Sequence, residues 1–344
     1  MRQLIIILFC VLVSCVDSES FKYSSLSSEK IIELDENLNL IGGISSFCIK
    51  GENKFIITTT NPVNVIEYSS NGDQVRLIGN RGNGPFEFER PSIVKVHNNK
   101  IYVWDSMLLK IIVFDMSGNP VKEYLNFTYA IGDFIPYKKN RIIFYFKGGH
   151  PFIVGIYDLE TERYLHQSGE PSQEHNLLSM NNSPGALLTY KDNVLYSSFD
   201  DLSIRLLSIN NFENFSIQNI EYGDFVIGDV KDSKDMINTD MNRVVDYLMK
   251  NSYISNLFRV DNGFVLRTVN GSLERKENNL ISSAKRYVDY FLLNENFEVQ
   301  SIARDKYNIE ELNIFSSFKE KIYTINVEES NNNYRYILNK IKFD

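Results

Sequence analysis

The side chains able to do chemistry are few and widely spaced along the 344 residues. Gly79-x-x-Gly82-x-Gly84 has glycine enough to suggest a phosphate cradle, but Pro85 and a strand-like run follow it. A phosphate loop needs a Lys-Ser/Thr pair and a helix N-terminus behind it. The expected role is a tight chain crossing in which glycine supplies positive φ. Four histidines, His97, His150, His166 and His175, stand alone in the sequence, and Asp200-Asp201 has no Asp-x-Asp-x-Asp spacing around it. No Gly-x-Ser-x-Gly, His-Glu-x-x-His or Cys-x-x-Cys pattern occurs, so the common local signatures of hydrolases and zinc sites are missing. The expectation is no catalytic residue, no cofactor and no dedicated metal site, although single histidines from separate strands could still converge on zinc.

The three cysteines divide by position. Residues 4–13, LIIILFCVLV, are an apolar run behind Arg2. The run is about half the ~20 residues a spanning helix requires, which fits an export signal. It ends in Leu12-Val13-Ser14-Cys15, which resembles the bacterial lipobox, with a small residue before the cysteine that is acylated. Residues 1–14 are therefore read as a signal, Cys15 as the lipidation site and residues 15–28 as a tether. Cys10 leaves with the signal, and Cys48, in SSFCIK, is expected as a small buried apolar residue. Asp17 and Glu19 give the tether an acidic start.

The elements that must position everything else come from a repeat. Residues 79–124 hold one full unit: a glycine-rich loop, a short strand, the turn Asn98-Asn99, the strand KIYVWD, a loop, the strand KIIVFD, a turn at Ser117-Gly118-Asn119, and PVKEY. Aligned on its second strand, the chain has six starts, at Lys54, Lys100, Arg141, Asn193, Gly263 and Lys321, spaced 41 to 70 residues apart. Such periods with four strands each mark a β-propeller. Twenty Tyr and twenty-three Phe against eight Pro suit a strand-rich chain. Five units supply their own fourth strand. The sixth ends at Asp344 without one, and Lys30–Leu34 is free to complete it, which would remove an open edge.

The predicted fold is thus all-β: a six-bladed propeller of four-stranded antiparallel blades over residues 29–344, its last blade closed by the N-terminal strand. The longest interval contains SKDMINTDMNRVVDYLMKN, where Met241, Val244, Val245, Leu248 and Met249 recur at helical spacing. One surface helix near 239–250, started by Thr239 and Asp240, is expected there.

The run Gly82-Asn83-Gly84-Pro85-Phe86-Glu87-Phe88, then KIYVWD and a Phe-Asp-x-x-Gly turn, resembles the six-bladed β-propeller lipoproteins of Bacteroidetes, relatives of NHL-repeat propellers. The resemblance implies the fold and an envelope location for the chain from about residue 29, and leaves ligand and activity open. With the acidic tether it implies the outer membrane and a surface-facing orientation.

In a propeller the loops between second and third strands emerge on the face that also carries the crossings between blades. This places Arg81, Glu87, Trp104 and Asp105 toward one rim, with Asn61, His150, Asp201, Arg267 and Glu328 from the equivalent loops of the other blades. Such a rim could hold a glycan or a peptide. The competing reading makes Phe86, Phe88 and Trp104 packing residues between blades. A net charge of −8, which becomes −9 once residues 1–14 and Arg2 with them are removed, argues against nucleic acid. The sequence therefore favours a non-catalytic binding or scaffold module for a glycan, a peptide or an envelope protein, touching the membrane only through its lipid. The alternatives are a channel-mouth lyase or hydrolase, with or without metal, and a purely structural part of an envelope complex.

Overall fold

The computed structural model describes residues 21–36, 41–51, 54–181, 183–275, 281–307, 314–330 and 333–344. Residues 1–20, and with them Cys15, the signal and most of the tether, lie outside the described residues.

The chain begins with β1 (Tyr23–Ser24) and β2 (Leu26–Glu33). Blade one is β3 (Ile44–Ile49), β4 (Lys54–Thr60), β5 (Val63–Ser69) and β6 (Gln74–Leu77). A short parallel pair, β7 (Asn80–Arg81) and β8 (Glu87–Phe88), forms the crossing to blade two. Blade two is β9 (Pro91–His97), β10 (Lys100–Asp105), β11 (Lys110–Asp115) and β12 (Pro120–Tyr124). Blade three is β13 (Ile131–Tyr137), β14 (Arg141–Phe146), β15 (Val154–Asp158) and β16 (Arg163–Ser168), followed by α1 (Gln173–Leu178). Blade four is β17 (Ala186–Tyr190), β18 (Asn193–Ser197), β19 (Ser203–Ser208) and β20 (Asn214–Asn219), followed by α2 (Ser233–Thr239) and α3 (Met241–Lys250). Blade five is β21 (Tyr253–Val260), β22 (Gly263–Arg275), β23 (Ile281–Leu293) and β24 (Val299–Lys306). Blade six contributes β25 (Ile314–Phe318), β26 (Lys321–Ser330) and β27 (Asn333–Phe343), and β2 is its fourth strand.

All six predicted second strands begin where the repeat places them, at Lys54, Lys100, Arg141, Asn193, Gly263 and Lys321. The expected closure also forms, with β2 running antiparallel to β27 from Leu26 opposite Phe343 to Glu33 opposite Ile337. It starts earlier than expected. Residues 26–28 are already strand, and Tyr23–Ser24 pairs in parallel with Ile302–Ala303 as a fifth strand on blade five. The part of the 15–28 segment from Tyr23 onward therefore belongs to the folded ring.

The second and third strands read as continuous apolar runs because both of their faces are covered, as in the fully buried Ile101–Asp105 and Lys110–Phe114. Each of the six gaps between neighbouring blades holds its own apolar cluster. Trp104, Phe134 and Phe144 fill the gap between blades two and three, with Phe127 edge-on to Trp104 at 5.5 Å. Cys48, Phe88 and Phe114 fill the gap between blades one and two, where burial pushes the Cys48 thiol up to about 12. Burying a Phe-sized side chain is worth about 1.5–3 kcal/mol, so these gaps are the main source of stability.

The inserted segment departs from expectation in helix number. Asp240 caps α3 as predicted, accepting from the Arg243 N–H, but it also ends a preceding helix, α2, that the sequence reading merged into loop. Met241 is exposed, and the packed residues are Met236, Val244 and Leu177 of α1. At six and seven residues, α1 and α2 are too short to show a 3.6-residue period.

Candidate functional site

The upper face of the ring carries the crossings between blades and the loops joining second to third strands; the lower face carries the other turns. The predicted rim lies on the upper face, and the structure sorts its nine residues by what each touches.

Around the crossing from blade one to blade two, the charged groups brace the loop. Gly79 sits at φ +67°, where a Cβ would meet the rings of Phe88 and Phe114 at 2.8 and 2.9 Å, so the chain turns there only as glycine. Glu87 folds back to accept the Gly84 N–H at 2.9 Å, and Lys110 donates to the Gly84 carbonyl at 3.1 Å while pairing with Glu123 at 2.7 Å. Asp105 is wholly buried. Its carboxylate accepts four backbone N–H groups, from Glu89 (2.6 Å), Arg90 (3.1 Å), Met107 (2.8 Å) and Leu108 (2.8 Å), tying the crossing to its own loop. Trp104 is 1% exposed, and Phe88 is equally buried. Trp104 and Asp105 are thus corrected from rim groups to internal ones; Glu87 is half-buried and turned back onto its own loop, and Arg81 stays exposed on β7.

The remaining blades repeat the pattern. His150 is stacked on Phe146 with ring centroids 3.6 Å apart, and Tyr129 lies edge-on at 4.5 Å. Its Nδ1 is 2.9 Å from the Phe152 carbonyl, and burial holds its pKa below the usual imidazole value against the effect of that bond. Arg267 is 2% exposed because β22 runs on to Arg275 where a loop was expected. Its Nη1 donates to Ser255 Oγ at 2.8 Å and its guanidinium lies 4.4 Å from the Phe315 ring. Glu328 likewise sits in β26, opposite Arg335, and is exposed. Asp201 is half-buried and pairs with Arg205 at 2.7 Å. Asn61 is exposed, and its carbonyl occupies the place a Cβ on Gly42 would take, 1.2 Å away. Of the nine residues, the structure gathers Arg81, Glu87, Trp104 and Asp105 around the crossing from blade one to blade two, with Asp105 bonded to the Glu89 and Arg90 N–H groups that follow Glu87, and the other five stand on separate blades.

A buried histidine went unrecognised in the sequence. His175 of α1 is 1% exposed, with Nδ1 2.8 Å from Ser198 Oγ and 3.3 Å from the Phe199 nitrogen. Ser198 donates onward to Asp200, which also accepts from Ser172, the cap of α1. Burial brings the His175 pKa down to about 4, against the pull of Asp200, so the ring is neutral at pH 7. The group wedges α1 against blades three and four. Among the described residues no three His, Cys, Asp or Glu side chains converge as a metal site.

Two further features escaped the sequence reading. The upper face is built outward by α1, α2, α3 and the overlong hairpins β22–β23 and β26–β27. Residues 270–275 and 281–286 pair with each other beyond the ends of β21 and β24, and Arg286 donates to the Met249 carbonyl at 2.8 Å at the end of α3. On the lower side, the seam between blades six and one holds a groove of about 380 Å³, lined by residues that include Ile31, Lys54, Phe318 and Lys321. On the other face of blade one, toward blade two, Glu67 is buried among Lys50 (3.0 Å), Lys54 (3.5 Å) and Arg76 (2.6 Å), and Lys50 and Arg76 also donate to the Met116 carbonyl. Burial alone would raise the Glu67 pKa, but the bonds from Lys50 and Arg76 outweigh it and hold the carboxyl below its usual range. The available signal was positional: Lys54 and Lys321 are the second-strand starts of the two blades that closure brings together.

Six four-stranded blades in a ring, with the core divided among the gaps, define a six-bladed β-propeller. The chain belongs to the 6-bladed beta-propeller family DUF5128, whose model matches residues 11–263. Among solved structures, it is similar to a Bacteroides fragilis protein described as exported, with a TM-score of 0.65 and 15% identity over 94% of this chain and 99% of the other. A duf4221 family member from Bacteroides vulgatus gives 0.63 at 12% identity, again over 94% and 99%. The WD40 repeats of RRP9 give 0.53 at 10% identity, over 94% and 100%. At these identities the likeness is one of fold. No curated protein of known function matches the sequence.

Proposed function

We propose that the protein is a non-catalytic binding or scaffold module, held at the cell envelope by a lipid on Cys15 and recruiting a glycan, a peptide or a partner protein through its upper face. The observation that carries this reading is the one-sidedness of the additions: among the described residues, α1, α2, α3 and both overlong hairpins all rise from the same face. Loops and insertions on a rigid scaffold are where recognition concentrates. The groups that a channel-mouth enzyme would need, Asp105, His150 and Arg267, are engaged by internal partners, which favours binding over catalysis. The envelope location draws support from the Leu12-Val13-Ser14-Cys15 run and from the fold shared with a Bacteroides protein described as exported. Outer-membrane placement facing the surface is the finer part of the proposal.

Replacing residues 273–284 by an Asn-Gly turn would shorten the blade-five hairpin at Ser272 and Lys285, which already face each other. The shortened protein should keep its melting temperature and lose the glycan or peptide hits that the full chain gives on arrays. Retention of every hit would remove this face from the proposal. In parallel, Cys15→Ser should move the protein from the membrane to the soluble fraction; a variant that still pellets in high salt would overturn the lipid anchor.

A further inference from the structure

Among the described residues, blade five alone carries a fifth strand. β1 lies on the outer edge of β24, Tyr23 opposite Ile302 and Ser24 opposite Ala303. The Ile302 N–H donates to the Lys22 carbonyl at 2.9 Å, and Ser24 Oγ donates to Ser301 Oγ at 2.7 Å. Phe21 packs into the gap between blades four and five, its ring 6.0 Å from that of Tyr222. The chain is therefore fixed to blade five from Phe21 onward, before β2 begins on blade six. The pairing of β1 with β24 is parallel. β24 is a fourth strand and runs from the lower face to the crossing on the upper face, so the chain followed backwards from Tyr23 heads for the lower face.

Length limits where Cys15 can be. It stands six residues before Phe21, and at about 3.3–3.6 Å per residue that span reaches roughly 20 Å. The pairs Ile302–Phe291 and Phe291–Leu266 carry the level of Tyr23 across the blade to β22. From Leu266 the lower end of β22, at Gly263, is three residues away, roughly 10 Å; the tip of the hairpin, at Arg275, is nine residues away in the other direction, roughly 30 Å. The span reaches past the lower end and falls short of the tip. At the exit Lys22 is exposed and Tyr23 is 60% exposed, a basic and an aromatic side chain suited to a boundary between water and lipid. The carboxylates of the lower turn of blade five are engaged, Glu295 by Tyr190 and Arg259 and Glu298 by Asn294.

We propose that the lipid surface lies against the lower corner of blade five, at Lys22, Tyr23 and the turn at 294–298, so that the upper face with its helices and hairpins points away from the membrane. The inference rests on the reading of Cys15 as the lipid anchor. It takes its direction from β1 and its limit from the span between Cys15 and Phe21.

The lipidated full chain, carrying one introduced cysteine and reconstituted on phosphatidylcholine vesicles with a headgroup-attached nitroxide quencher, tests it. Cys48 is buried, so a thiol-reactive fluorophore takes the introduced residue. Asn296→Cys, in the lower turn of blade five, and Asn242→Cys, on α3, are changes at exposed positions and should melt as the parent does. The probe at 296 should be quenched several-fold more strongly than the probe at 242. Inserting a Gly-Ser segment of about twenty residues after Glu19 should remove most of that difference, because the lengthened span lets the ring turn over. Protein that floats with the vesicles but is quenched equally at both positions, or more strongly at 242, overturns the orientation. An unchanged difference after the insertion overturns the part given to the short span. Protein that does not float with the vesicles overturns the lipid anchor, and the orientation with it.

Discussion

The crossing from blade one to blade two and the seam between blades six and one solve the same problem, joining neighbouring sheets, in opposite ways. At the crossing the chain is continuous, and charged groups turn onto it: Glu87 from within the loop, and Asp105 and Lys110 from blade two, bind its backbone. At the seam the sheets are joined by β2, a strand from the other end of the chain, which pairs through a bulge. There Ile31, the extra residue of the bulge, is left 46% exposed at the wall of a groove. Continuity allows a loop to be fixed from within, so its polar groups are taken up by the fold. The closure assembled from both ends leaves Ile31 at the surface instead.

Removing β2 should break the comparison most severely. Deleting residues 26–33 takes away Ile32 and a whole row of backbone pairs, and exposes the third strand of blade six. The expected loss is on the order of the whole net stability of a domain, about 5–15 kcal/mol, seen as the disappearance of a cooperative melt. An unchanged melting temperature would mean that the ring closes by some other contact.

Asp105→Ala tests the crossing. Four buried N–H groups lose a charged acceptor, and hydrogen bonds to charged groups are worth about 1.5–3 kcal/mol each, so a destabilisation of at least 3 kcal/mol is expected in urea titrations. Arg81→Ala, on the same loop but exposed, should stay within about 0.5 kcal/mol. Equal effects from the two would mean that Asp105 braces the crossing no more than an exposed charge does.

A smaller effect sharpens the picture at the crossing from blade three to blade four, where the brace is titratable. His175 has a folded-state pKa of about 4, below its ordinary 6.5, so the unfolded chain takes up a proton first. Its contribution is full above pH 6.5 and is lost as pH falls from there toward 4, by on the order of 3 kcal/mol. Urea midpoints at pH 7 and pH 5 should therefore converge in His175→Asn relative to the parent. If the parent shows no greater acid sensitivity than the variant, the neutral buried ring is not what holds α1.

The part legible in the sequence was what strand period and turn chemistry dictate. Six second strands began where a repeat of apolar runs behind turn residues placed them, because a strand buried on both faces must be apolar throughout, and such runs announce themselves. Closure by residues near 30 followed from counting, since a sixth blade lacking its fourth strand can be completed only from elsewhere in the chain. Asp240 was recognisable as a helix start by its residue type and the spacing after it.

The rim was different. Loop position alone assigned Asp105, Trp104, His150 and Arg267 to a binding face, and sequence position does not say which way a side chain turns. Asp105 turned inward because four backbone N–H groups in two loops, brought together only when blade two is folded, needed an acceptor. Arg267 was enclosed because blade five's second strand runs on past the point where the repeat would end it. The seam groove is a property of neither end of the chain. Ile31 and Lys321 are 290 residues apart in sequence, and only the closing of the ring makes them walls of one groove.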